Sequence, residues 1–278
     1  MTVAEFVPIV LGASFAAGFL GSLTGLGGGV IVTPVLTLFL GVDLRYAIGA
    51  SLISVIATSS GAAAAYVRDG YSNIRIGMFL EIATTVGALC GALLATHVPA
   101  NALSMVFGVI LLQAAWQATR KHRLTESAVP PDSLGERLRL NGSYTDNSIQ
   151  KSYAVRRVKT GFGLMFGAGA ISGLLGIGSG SLKVIAMDQA MRIPFKVSTA
   201  TSNFMIGVTA AASASVYLSR GYVNPGIVMP VMLGVLAGSM TGAKFLAHLP
   251  VVFLRRVFAT VVGVIAIQMI VAGLRGKL

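Results

Sequence analysis

The stretch SGLLGIGSGSLKVIAMDQAMRIP, residues 172–194, interrupts an apolar run with Gly173, Gly176, Gly178 and Gly180, then places Lys183 and Asp188 just beyond the break. Why so apolar a chain breaks its helix here decides the fold. The surroundings favour the membrane. Mean hydropathy is +0.81, only 11% of residues are charged, and predominantly apolar runs cover 46–67, 73–95 and 251–273. Runs of this length are satisfied by lipid, so the chain reads as an all-α polytopic membrane protein. The first apolar run has no basic region before it and no polar mature domain behind it, so it reads as a structural span rather than a cleaved signal.

The formal charge of +12 would suggest nucleic acid in a soluble protein, but 9 of the 21 Lys and Arg fall in the polar segment 119–160. That is a positive-inside signal. It places the segment in the cytoplasm and the protein in the cell (inner) membrane, with the lipid bilayer and not nucleic acid as its partner. Cys90 is the only cysteine, which excludes an intrachain disulfide and a cysteine metal cluster, and it reads as a packed small residue.

Sliding the second half over the first at an offset of 151 matches, without a gap, Gly25/Gly176, Gly27/Gly178, Gly29/Gly180, Ser51/Ser202, Tyr66/Tyr217, Asn73/Asn224, Gly87/Gly238, Gly91/Gly242, His97/His248 and Pro99/Pro250 among others. Matches in uncommon residue types argue for duplication. The expected organisation is a first transmembrane repeat, 1–118, a basic cytoplasmic linker, 119–160, and a second repeat, 161–278. Each repeat reads as a long glycine-interrupted segment (4–41; 160–191) followed by three spans (46–67, 73–95, 99–119; 197–218, 226–247, 251–273).

At 1.5 Å per residue, segment 4–41 would be roughly 57 Å long against a hydrocarbon core of about 30 Å. It must fold back, and the expectation is a hairpin of two short helices meeting at the glycines. Each half then crosses three further times, and the halves are inverted. With 119–160 inside, the inverted arrangement puts 16 Lys and Arg on the cytoplasmic side and leaves only Arg45, Arg220, Arg275 and Lys277 outside; parallel halves give 14 against 6. The count favours inverted repeats. In the linker, Asn141-Gly142 is a hairpin signal, so a small β-hairpin and a basic tether to anionic headgroups are both open.

A glycine-rich break cannot face lipid. It survives where it is buried in protein or lines a hydrated cavity, and breaks at matching positions of two halves point to a transport site. Glycines let backbone N–H groups approach a ligand, and helices restarting near residues 30 and 181 would present their positive ends to an anion. The candidate substrate-binding residues are therefore Gly27, Gly28, Gly29, Gly178, Ser179, Gly180 and Lys183, with Ser51, Ser202 and Asn203 from the hydroxyl-rich spans that follow. For Lys183 three readings stay open: an anion contact, a pair with Asp188 or Glu81, or snorkelling to the interface. Hydroxyls of the following spans also serve helix packing.

Glu81 stands mid-span, and Met232 occupies its place in the second repeat. Glu81 and Asp188 are the candidates for a coupling proton, Glu81 being equally readable as half of a structural pair. His97 and His248 adjoin Pro99 and Pro250 and read as interfacial turn residues. No nucleotide loop, H-E-x-x-H or G-x-S-x-G occurs, so no enzymatic activity, cofactor or metal is expected. Gly87, Gly91, Gly238 and Gly242 suit either intramolecular packing or a homodimer.

The paired motifs GLGGGVIVTPVL (25–36) and GIGSGSLKV (176–184), with ATSNFMIGVTAAASAS (200–215), resemble the sulfite exporter TauE/SafE family of anion permeases, across essentially the whole chain except the linker. Ser179 stands where that family more often has a third glycine, and Ile185 where proline usually follows the Lys-Val. The resemblance implies transport of a small sulfur-containing anion such as sulfite or an organosulfonate. Together these readings lead to a transporter working by alternating access, in the export direction because an inside-negative potential expels anions. An anion channel and a membrane scaffold acting through the linker are the rival expectations.

Overall fold

A computed structural model describes residues 3–24, 28–68, 72–119, 132–146, 149–246 and 251–276. The N-terminal half contains α1 (Val3–Thr24), α2 (Gly29–Leu40), α3 (Leu44–Arg68), α4 (Ile74–Ala95) and α5 (Ala100–Thr119). The C-terminal half contains α7 (Val158–Leu175), α8 (Gly180–Ile185) running into a π-helical turn (Ala186–Ala190), α9 (Phe195–Ser219), α10 (Pro225–Leu246) and α11 (Val251–Leu274). Between them lie a short helix α6 (Ser133–Arg137) and strands β1 (Gly142–Asp146) and β2 (Ile149–Tyr153).

Local chemistry sets the boundaries. The Asn73 side chain accepts from Ile76 N at 3.1 Å to cap α4, and Asn224, its counterpart in the second repeat, accepts from Gly226 N at the start of α10. Side-chain acceptors at these positions satisfy amides that the first turn leaves free. Gly41 ends α2 with φ +63° and returns its N–H to Leu36 O, a conformation that costs glycine little.

The fold-back segments are less even than expected. At 1.5 Å per residue α1, with 22 residues, is about 33 Å long and α2, with 12, about 18 Å. Each hairpin therefore pairs one full-length helix with one short one rather than two short helices, since only the strand of sequence after the glycines is cut short by the next turn.

The helices pack in matched pairs. α1 lies along α10 and α7 along α4, both parallel, while α3 crosses α9 and α5 crosses α11. Glycines set the spacing: a Cβ on Gly87 would fall 2.1 Å from Phe166 O, and a Cβ on Gly238 would fall 2.1 Å from Phe15 O. Phe15 and Phe166 are themselves 151 apart, so the two contacts are repeats of one another. Gly18 against Val235 O and Gly169 against Thr84 O form a second matched pair. Gly87, Gly91 and Gly238 are thus occupied by intramolecular contacts. The crossings of counterpart helices are antiparallel, because Gly49 meets Tyr222 while Gly207 meets Ser59, and Gly108 meets Ala266 while Gly273 meets Asn101.

Apolar residues also cover the outside: Met78, Ile82, Val109 and Leu218 are each more than half exposed. Among the described residues, four helices are long and apolar enough to cross a membrane, namely Ile74–Ala95, Ala100–Gln117, Val158–Leu175 and Pro225–Gly242. Cys90 is exposed rather than packed: the face of α4 pressed against α7 carries Gly87, Ala88 and Gly91, and Cys90 falls beyond its edge.

The described part of the linker, from residue 132 on, is folded onto one end of the bundle. Leu140, Val155 and Val158 share a core with Ile76, Leu80, Met165, Met187 and Met191. β1 and β2 pair antiparallel from Gly142↔Tyr153 to Asp146↔Ile149. The Asn141-Gly142 signal marks the open end of this hairpin and not its turn: Asn141 Oδ1 accepts from Val155 N at 2.8 Å, while residues 147–148 lie outside the described residues. Asn73 joins the hairpin to α4 through Leu140 O and the Tyr153 hydroxyl.

Candidate functional site

Ser51, two turns into α3, sits between the two breaks. Its hydroxyl lies 3.0 Å from Gly29 O and 2.9 Å from Gly176 O, so one side chain spans both fold-back segments. Gly29 is the first residue of α2, and a Cβ there would meet Val55 and the Ser51 oxygen. Gly28 precedes it in ordinary helical conformation, its carbonyl accepting from Ile31 N and Val32 N. Gly27 lies outside the described residues.

At the second break the chain turns through three left-handed residues, Gly176 (φ +70°), Gly178 (φ +69°) and Ser179 (φ +45°). Only Ser179 pays for this conformation with a side chain. The residue is 2% exposed, and its buried hydroxyl has no hydrogen-bond partner among the described residues. Nor, among those residues, do the amides of Ile177, Gly178 and Ser179 find a backbone acceptor. Thr33 and Thr37 on α2 and Ser172 on α7 are likewise buried with unpartnered hydroxyls. Buried polar atoms are almost always satisfied, so this concentration in the fold-back segments marks where a polar ligand or water fits.

The second-break helix α8 spans six residues, too short for the helix-end anion site expected of it. Gly180 opens it, packed against Ile206. Ser202 and Asn203 are engaged internally: Ser202 donates to Gly180 O at 3.2 Å, and Asn203 Nδ2 donates to Thr199 O at 3.1 Å. Ser202 thus ties α9 to the start of α8, while Asn203 bonds back within α9 itself, as hydroxyls and amides of apolar helices do.

Lys183 is fully buried, which removes the snorkelling reading. Its Nζ donates to Thr209 Oγ1 at 2.5 Å and lies 3.9 Å from Glu81 Oε2. Thr209 Oγ1 lies 2.6 Å from Glu81 Oε1 and 2.9 Å from Met205 O. The hydroxyl has one proton, and the charged oxygen is the stronger acceptor. Thr85 adds a second donor to Glu81 Oε1 at 3.1 Å, while Glu81 Oε2 accepts no hydrogen bond among the described residues. Of the open pairings for Lys183, the structure places it against Glu81; Asp188 is half-buried on the π-helical turn.

Thr209 was not among the residues expected at the site. It lies seven residues after Ser202, on the same buried face of α9, and that two-turn spacing was the available signal.

Membrane-length helices, with glycine breaks brought together by Ser51 and an ion pair buried between α4 and α8, define an all-α multi-pass membrane protein. The family model described as sulfite exporter TauE/SafE matches residues 10–269, and the chain belongs to that family. It is 28% identical over 242 residues to "Probable membrane transporter protein YunE" of Bacillus subtilis (strain 168), covering 84% of this chain and 86% of the relative. "Probable membrane transporter protein YdhB" of the same organism is 27% identical, with 89% and 93% covered. "Probable membrane transporter protein MJ0441" of Methanocaldococcus jannaschii is 24% identical, with 95% of each chain covered. No solved structure matches the chain.

Proposed function

We propose that this protein is a secondary transporter of the cell (inner) membrane that moves a small sulfur-containing anion, such as sulfite or an organosulfonate, by alternating access. The observation that carries the reading is the position of Ser51, whose hydroxyl reaches the carbonyls of both breaks. A ligand held between them touches both halves and is released when one half rocks against the other. The unpartnered Ser179 hydroxyl and the amides of Ile177 and Gly178 supply donors, and Lys183 supplies positive charge nearby in sequence.

The two halves act as inverted repeats in this reading, with the 119–160 segment on the cytoplasmic side. Support comes from counterpart helices, α3 with α9 and α5 with α11, crossing antiparallel. A bare anion is expelled by an inside-negative potential, worth about 2.3 kcal/mol per charge at 100 mV, so export is the direction expected of it.

The test is flux of radiolabelled sulfite, with competing sulfonates, in proteoliposomes of wild type and Lys183→Ala. Saturable, competable flux that the substitution abolishes is the expected result. Absence of flux for every sulfur anion tried would send the function elsewhere.

A further inference from the structure

The buried pair has a property that follows from charge alone. Glu81 on α4 and Lys183 on α8 come from different halves, are 8% and 0% exposed, and share Thr209 as a bridge. Their counterparts at the offset of 151 are Met232 and Val32, so the core contains this pair without a symmetric copy. With Glu81 ionised, the pair is neutral. An anion that arrives at Lys183 with Glu81 still ionised leaves the core with a net charge of minus one. A proton that arrives at Glu81 without an anion leaves it at plus one. With Lys183 kept as the ammonium, two states are neutral: the empty site with Glu81 as carboxylate, and the site holding both a monoanion and a proton on Glu81.

Net charge in the hydrocarbon-bounded core is penalised heavily, and neutral states are the ones free to rearrange. The geometry suits the exchange. Glu81 Oε1 is held by Thr209 and Thr85, whereas Oε2, which faces Lys183 at 3.9 Å, accepts no hydrogen bond among the described residues and is free to take the proton. The other ionisable groups on the elements packed around the pair stand elsewhere on them: Arg75, Lys159 and Lys196 in the first turns of α4, α7 and α9, Cys90 and Tyr217 further along α4 and α9, and Asp188 on the π-helical turn.

We infer that Glu81 carries a proton in exchange for its hold on Lys183, so that each monoanion crosses together with one proton and the net movement is electroneutral. In the loading step a proton from water joins Glu81 Oε2, the carboxylate becomes a carboxyl, and the anion replaces it as the counter-charge of Lys183. In the unloading step the proton returns to water as the anion leaves. The internal carboxylate thus stands in for the substrate while the site is empty. The inference rests on the transport reading and deepens it, replacing the voltage argument for export: direction follows the summed anion and proton gradients, and monoanions are selected over dianions.

The experiment uses the full chain in proteoliposomes with labelled sulfite and labelled methanesulfonate, a monoanion with no titratable proton near neutrality, measured above protein-free vesicles. Interior pH is read by a trapped dye, and membrane potential is set by a potassium gradient with valinomycin. The expected result is flux insensitive to the imposed potential, one proton entering per methanesulfonate, and accumulation of about tenfold per unit of pH gradient. Glu81→Gln is expected to lose proton movement, keep exchange of internal for external anion, and become voltage-sensitive in net flux. Should Glu81→Gln fail to fold, the wild-type stoichiometry and voltage dependence decide alone. Wild-type flux that follows voltage, or that moves no proton with methanesulfonate, overturns the coupling and leaves the transport reading standing. Absence of wild-type flux for both anions overturns the transport reading and the coupling with it.

Discussion

Lys183 Nζ and Glu81 Oε2 lie 3.9 Å apart in the core, one contributed by each half of the chain, with the Thr209 hydroxyl between them. Removing one partner strands the other as an uncompensated buried charge, at a cost of about 3–5 kcal/mol where no water reaches. Glu81→Gln and Lys183→Met are each expected to lower thermal stability in detergent clearly. The double variant is expected to recover most of the loss, because it removes both charges. A double-mutant cycle with no coupling between the positions would show that the pair does not interact in solution.

Gly87 and Gly238 are one contact made twice, each pressed on a phenylalanine carbonyl of the parallel neighbouring helix. Alanine at either position forces α4 from α7 or α1 from α10, an overpacking that costs roughly 1–3 kcal/mol. Gly163 and Gly167 on α7 have nothing within 4 Å of a built Cβ, so alanine there is expected to be neutral or slightly stabilising through its helix propensity. Thermal unfolding of the four variants checks this, and equal losses at all four would remove the close-approach explanation.

The spans were legible because runs of about twenty apolar residues bounded by Asn, Pro and Gly leave little freedom for the ends: 73–95 became Ile74–Ala95 and 197–218 became Phe195–Ser219. The restart of helices near residues 30 and 181 was legible from the glycines. Which side of a helix faces inward was not. When both lipid and core are apolar, periodicity carries little signal, and Cys90, which reads from the sequence as a packed small residue, is exposed. The partner of Lys183 was open between Glu81 and Asp188, because a contact across 102 residues of sequence depends on tertiary packing. Ser202 and Asn203 looked like ligand donors by density of polar groups, but hydroxyls and amides in apolar helices also satisfy themselves on nearby carbonyls.

Ser51 offers a test of how the two breaks are held together. Ser51→Ala leaves Gly29 O and Gly176 O without this donor and opens a small void beside Val55. The expected cost is about 1–3 kcal/mol, with impaired anion flux at temperatures where the protein is still folded. Ser51→Thr keeps the hydroxyl but adds a methyl group where Gly29 already touches the side chain, and is expected to be little better. Full stability and flux in Ser51→Ala would mean that the two carbonyls do not depend on the hydroxyl.

Ser179 separates binding from folding. Its buried hydroxyl makes no hydrogen bond among the described residues, so in the empty protein it costs desolvation without return. Ser179→Ala is therefore expected to unfold at the same temperature as wild type or slightly higher. Ser179→Gly also relieves the left-handed φ of +45° and gives back part of that gain through a more flexible unfolded chain. If the hydroxyl serves an anion, both variants lose a hydrogen bond to charge, worth about 1.5–3 kcal/mol. Half-saturating sulfite concentration should then rise by tenfold or more while stability is retained. A variant equal to wild type in both flux and affinity would take Ser179 out of the site and leave its unsatisfied hydroxyl to a buried water.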